Sequence, residues 1–247
     1  MISRFRFALF FCVLSTLYFA PTPCSAQYSV GWMGSTTWIG LRAGGNFANE
    51  TPDSTPLNTS TSLKSGFVGG LTVEHWFNNN LAVGASVLYD QKGTNQEYAD
   101  AAKNRQIGNT IYSGSDAYAL SYCEIPVVIK YAIGTGLVRP YVCVGPSFGL
   151  LLSATETPGG SLASVDNFKS YTNSSEVSLY AALGVMDEIL HGPIFFFEAG
   201  IAGGLTGIYQ SNPSRITTND LAFPDPIDPF GSKSLDIRVT AGAMWEL

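Results

Sequence analysis

Charge is what this sequence has least of. Asp, Glu, Lys and Arg make up 13% of its 247 residues, about half the roughly 25% of an ordinary soluble domain. Basic charge is scarcer still: the net charge is −6, which disfavours recognition of nucleic acid by a basic surface. Long apolar runs are also missing. Beyond the first twenty residues no segment offers the 18 or more uncharged apolar residues of a membrane-spanning helix. There are two histidines, His75 and His191, so histidine-based catalysis or metal binding has few positions to draw on. What is present narrows the class. Hydrophobic residues at 45% exclude a disordered chain, which is poor in them and rich in charge. Glycine at 26 residues and aromatics at 13%, without long apolar runs, fit strands that cross a membrane as a barrel, whose signal is diffuse alternation.

The first segment reads as an address. Arg4 and Arg6 precede the apolar run Phe7 to Leu14, which continues weakly to Ala20. Pro21 and Pro23 break it, and Cys24-Ser25-Ala26 offers small residues before Gln27. That is the pattern of a cleavable secretory signal over 1–26. Pro23 before Cys24 and Phe11 before Cys12 do not fit a lipoprotein signal. Removal of 1–26 leaves 11 basic and 19 acidic residues and two cysteines, Cys123 and Cys143. A short periplasmic segment, 27–36, would then precede a barrel domain over 37–247.

From residue 37 the alternation has period two, the strand signal. It predicts an all-β, eight-stranded, antiparallel up-and-down transmembrane barrel with strands near 37–47, 65–77, 81–92, 118–131, 137–152, 176–186, 193–206 and 234–247. Ile39, Leu41 and Ala43 alternate with Gly40, Arg42 and Gly44; Ile237, Val239 and Ala241 alternate with Asp236, Arg238 and Thr240. Connections 78–80, 132–136 and 187–192 are short, whereas 48–64, 93–117, 153–175 and 207–233 are long. Strict alternation of short and long connections is the layout of an outer-membrane barrel, with short periplasmic turns and long external loops.

The polar face of the strands carries Arg42, Glu74, Asp90, Glu124, Lys130, Glu176, Glu198, Asp236 and Arg238, with Glu246 at the end of the last strand. An eight-stranded barrel is only wide enough inside for its side chains, and buried charge must be paired. These residues therefore read as a lumen network rather than an ion path. Trp38, Trp76, Phe77, Tyr131 and Trp245 cluster near the short turns, and Phe47, Phe67, Tyr89 and Tyr122 near the long loops, as aromatic girdles would. Cys123 and Cys143 fall on opposite faces and are expected to stay free. Pro126 and Pro146 each remove a ladder donor, which predicts a local bulge at each. The last loop carries Leu221, Phe223, Ile227 and Phe230, an apolar set fit to cover the barrel mouth or meet a partner.

LSYCEIPVVIKY at 120–131 followed by RPYVCVGPSFGLLLSA at 139–154 resembles the PorT-like outer-membrane β-barrel proteins of the Bacteroidetes group. GLRAGGNFAN at 40–49, SGFVGGLTVEHWF at 65–77 and EAGIAGGLTGI at 198–208 fit the same pattern. The resemblance spans the chain beyond the signal and implies an eight-stranded barrel in the bacterial outer membrane. The member that lends the family its name is linked to protein secretion and gliding machinery.

The expectation is a non-enzymatic outer-membrane barrel that presents four long loops, as a structural, partner-binding or secretion-associated component. A narrow channel is the first alternative and a membrane-embedded lipid-modifying enzyme the second. No catalytic triad is legible, because a base needs a nucleophile within reach and a third group to hold it. No cofactor and no metal is expected. The expected partners are outer-membrane lipid, the barrel-assembly machinery, for which Trp245 and Leu247 form the terminal signal, and an envelope protein met through the loops, with no nucleic acid.

Overall fold

The computed structural model describes residues 35–51, 59–98, 105–107, 110–112, 115–157, 169, 172–188, 192–208 and 232–247. Among them lie ten strands: β1 (Thr36–Thr51), β2 (Thr59–Trp76), β3 (Leu81–Tyr98), β4 (Arg105–Ile107), β5 (Thr110–Tyr112), β6 (Ser115–Ala132), β7 (Val138–Thr157), β8 (Ser175–Glu188), β9 (Ile194–Gly204) and β10 (Lys233–Glu246). Eight of these close into an antiparallel barrel in the order β1-β10-β9-β8-β7-β6-β3-β2. The seam is the pairing of β1 with β10, from Trp38 against Glu246 to Thr51 against Lys233. The small hairpin β4–β5 forms a separate sheet within the connection from β3 to β6.

Alternation sorts the wall. Leu41, Leu71, Val87, Ile129, Val144, Leu183, Phe197 and Ile201 are exposed on the outside. The residues between them face the lumen and, among the described side chains, include most of the strand charges. In a soluble protein such an outside would be an aggregation surface; in hydrocarbon it is the favoured one, and the ladder of a closed barrel leaves no edge unpaired there. The connection between β6 and β7 is short enough that Gly134 takes a φ of 84°, a conformation that glycine adopts without strain.

Lumen aromatics are seated by glycines on neighbouring strands. A Cβ at Gly184 would meet the Tyr141 ring at 2.3 Å, and one at Gly242 would meet the Phe196 ring at 2.4 Å. The rings lie across the adjacent strand because no side chain stands there, so the narrow interior packs closely.

Two expectations about the strands need correction. No bulge forms at the prolines. Pro126 faces Ser147 and Ile129 faces Val144 with one unchanged register; the two proline positions lie side by side, so the β6–β7 ladder skips their lost donors together instead of shifting. The register shifts elsewhere, between Ser121 and Tyr122 and between Leu63 and Val68. In addition, the segments 48–64, 93–117 and 153–175 are not simple loops. β1, β2, β3, β6 and β7 run well into them, because Ser and Thr continue the strand-compatible pattern past the apolar band.

Candidate functional site

The lumen is the part of the molecule where chemistry-bearing side chains converge, and it has four levels. At the turn end Trp38, Trp76, Ile194, Met186 and Met244 form a buried apolar cluster. The Arg139 guanidinium lies 5.3 Å from the Trp76 ring centroid and donates to the carbonyl of Asn79 at 2.6 Å, which ties the plug to the β2–β3 turn.

Above it are two ion pairs, Arg42 with Glu198 and Lys130 with Glu74. Glu198 also accepts from the Tyr141 hydroxyl at 2.9 Å and the Tyr180 hydroxyl at 2.7 Å. Lys130 stands over the Tyr141 ring at 4.2 Å and Arg42 over Phe196 at 5.3 Å. Two acids meet two bases here, and aromatic faces take up the remaining positive potential.

The next level is a single hub. Lys92 lies 2.9 Å from Asp236, 3.2 Å from Glu124, 3.2 Å from Glu176 and 3.9 Å from Asp90. Arg238 lies 2.8 Å from Glu124, 3.0 Å from Asp90 and 3.2 Å from Asp236. Asn46 donates to Asp90 at 2.8 Å and Ser147 to Glu124 at 2.5 Å, and the Ser234 hydroxyl donates to Glu176. Four carboxylates thus share two cations, and all six side chains are buried. At the loop end Tyr118, Leu120, Tyr122, Leu151, Ala154 and Ile208 form a second buried apolar cluster. Small gaps remain beside Lys92 and Tyr122 and between Arg42 and Lys130, and neither has room for more than about one water molecule.

The nine lumen residues named from the sequence all lie inside. Alternation missed the centre of the hub, Lys92, which stands two residues beyond Asp90 on the same face. It also left out Arg139, Asn46, Tyr141 and Tyr180, whose parity with Cys143, Arg42 or Glu176 on their own strands was the available signal. Glu246 is exposed at the turn-side end and belongs to no lumen cluster. Phe77, Tyr131 and Trp245 are exposed on the outside at 52%, 51% and 48%, whereas Trp38 and Trp76 are 4% and 0% exposed. Those two tryptophans are lumen plugs and not girdle residues: they share parity with Arg42 and Glu74, and parity overrides height along the strand. Tyr122 is turned inward for the same reason, while Phe47, Phe67 and Tyr89 remain outside. Leu221, Phe223, Ile227 and Phe230 lie outside the described residues, as does His191.

His75 is placed in company that the sequence did not reveal. Its Nε2 is 2.8 Å from the Ser35 hydroxyl and its Nδ1 2.9 Å from the Thr37 hydroxyl, with Phe77 edge-on at 5.0 Å. Thr37 is simply the residue paired with His75 across β1 and β2. The group sits at the turn-side end of the wall, and among the described residues its ring nitrogens meet these two hydroxyls. Cys123 and Cys143 are both free. Among the described residues no three of His, Cys, Asp and Glu are placed to hold a metal ion.

A closed eight-stranded barrel with an apolar outside and a charged, filled inside is an outer-membrane β-barrel. The chain belongs to the family described as outer membrane protein beta-barrel domain, whose model matches residues 25–210, and its place is the outer membrane. Solved structures similar to it include the outer membrane protein OprG of Pseudomonas aeruginosa, at 12% identity over 87% of this chain and 97% of that one, with a TM-score of 0.43. Neisserial surface protein A follows at 13% identity over 87% and 99%, TM-score 0.43. Ail of Yersinia pestis, solved with the heparin analogue sucrose octasulfate, has 14% identity over 85% and 99%, TM-score 0.38. No curated protein matches the sequence.

Proposed function

We propose that this protein is a closed, non-enzymatic outer-membrane barrel that works by presenting its loop-side end to an envelope or extracellular protein partner. The observation that carries this reading is the filled lumen. Two apolar plugs bracket two ionic levels, so solute has no path and the usable surface is the exposed end. Reconstitution in planar bilayers tests it: the protein should show no steady conductance, and a stable open level would return the narrow-channel reading. A lipid-modifying activity is tested at Ser35, which should take no label from a fluorophosphonate; labelling lost on His75→Ala would establish that activity instead.

The finer reading is a PorT-like, secretion-associated component, exported by a signal over 1–26 and inserted by the barrel-assembly machinery. It rests on the paired segments 120–131 and 139–154. Cross-linking and co-purification from native outer membranes should recover secretion components; recovery of none would leave the partner to be sought elsewhere.

A further inference from the structure

Two buried side-chain atoms at the turn-side ionic level are left over by the ion pairs. The Arg42 guanidinium uses one terminal nitrogen, Nη2, for Glu198 and for the Thr240 hydroxyl at 3.5 Å. Its Nε is buried and has no hydrogen-bond partner among the described residues. Glu74 meets Lys130 through Oε1, and its buried Oε2 has no such partner either. The first atom is a donor and the second an acceptor. Buried polar atoms are nearly always satisfied, by protein or by ordered water.

Arg42 and Glu74 line the same gap, together with Thr72, Gly84, Ser86 and Lys130. The register builds its walls. Glu74 is paired with Gly84, and Thr72 with Ser86, across β2 and β3, and all four are buried on the lumen face. The Ser86 hydroxyl donates to Thr72 at 2.9 Å, which leaves the Thr72 hydrogen to be donated onward. Gly84 differs from the glycines that seat aromatic rings. At Gly184 and Gly242 a ring lies where the Cβ would be. At Gly84 the nearest atoms to such a Cβ are the Glu74 Cγ at 3.3 Å and the Val128 Cγ2 at 3.5 Å, so a methyl group would fit with little movement.

We propose that this gap binds one water molecule, held between Arg42 Nε and Glu74 Oε2 with the Thr72 hydroxyl as its third partner. The water accepts from Arg42 and Thr72 and donates to Glu74, within the two to four hydrogen bonds that a buried water makes. Two acids and two bases already balance at this level, so the ligand that fits is neutral. The bridge joins the Arg42–Glu198 pair of β1 and β9 to the Lys130–Glu74 pair of β6 and β2, and each acid keeps its own cation. The site is enclosed at both ends. The cluster of Trp38 and Trp76 closes the turn side. On the loop side the Tyr180 ring lies 5.4 Å from the Arg238 guanidinium of the hub. The water is therefore a fixed part of the fold and not a stretch of channel.

Gly84→Ala in the full-length protein tests this by placing a methyl group in the gap. A glycine-to-alanine change in a strand ordinarily raises the ratio of folded to unfolded protein about two- to fivefold. Here it should lower that ratio at least about threefold in urea titrations, because the methyl group displaces the water and strands Arg42 and Glu74. Gly84→Ser carries the same Cβ with a hydroxyl in the water's place, so it should recover most of the loss. A steric cause would leave it no better than Gly84→Ala. An electrophoretic shift on heating verifies that each variant forms the closed barrel. High-resolution crystals of the wild type should show one density peak within hydrogen-bonding distance of Arg42 Nε and Glu74 Oε2, and this peak decides the matter even where a variant does not fold. Absence of the peak, a peak ringed by oxygens at the roughly 2.0–2.6 Å of a metal ion, a more stable Gly84→Ala, or a Gly84→Ser no better than Gly84→Ala each overturns the proposal.

Discussion

The two ionic levels of the lumen solve one problem in different ways. The turn-side level holds discrete pairs, Arg42 with Glu198 and Lys130 with Glu74, in which acids and bases balance and tyrosine hydroxyls complete the hydrogen bonding. The loop-side level is a shared hub in which Lys92 and Arg238 serve Asp90, Glu124, Glu176 and Asp236 together. Each turn-side pair joins two strands. Lys92 alone joins β3 to β6, β8 and β10, tying opposite walls of the cylinder. A pair can be exchanged for an apolar couple at little cost, whereas a hub that loses its cation strands several carboxylates at once.

That contrast sets the order of expected effects. Lys92→Met should be the most damaging single change, lowering unfolding stability in urea by about 3–5 kcal/mol, because four buried carboxylates are left with one cation. Glu198→Gln should cost about 2 kcal/mol, since the tyrosine hydrogen bonds survive but Arg42 loses its charge partner. Asp90→Asn should stay within about 1 kcal/mol of wild type, because it removes one acid from a level with acids in excess and keeps the acceptor for Asn46. Asp90→Asn costing more than Glu198→Gln would break the comparison between the two levels. The double change Lys130→Met with Glu74→Leu should also stay within about 1 kcal/mol, while either single change costs more; equal costs would show that the turn-side pairs are coupled as tightly as the hub.

Much of the barrel was legible along the chain. Strand number, the order of short and long connections, and the inward face of each strand follow from period-two alternation, because side chains of a strand in a closed wall can point only to lipid or to lumen. The nine lumen charges were readable on that basis. Trp38 and Trp76 were misread because an aromatic near a strand end looks like a girdle residue by height, although its parity with Arg42 and Glu74 already assigned it to the interior. Lys92 was passed over as a strand terminus, since nothing local marks where a strand stops when Ser and Thr continue the pattern.

Alternation along one chain carries no information about the stagger between strands far apart in sequence. Which acid meets which base therefore depended on closure: Lys92 and Glu176 are 84 residues apart and Arg238 and Glu124 are 114 apart, and only the stagger of the closed sheet brings them to one height. The same holds for the uneven rim. Long β3, β6 and β7 are properties of their own residues, but the height at which β1 stops pairing with β2, and β7 with β8, is set by how the strands meet. By itself the sequence determined the inside and outside of the wall, since facing is a local property of alternating side chains. The tertiary structure alone decided the partners within the lumen and the height of the rim, since both depend on strands that meet only when the barrel closes.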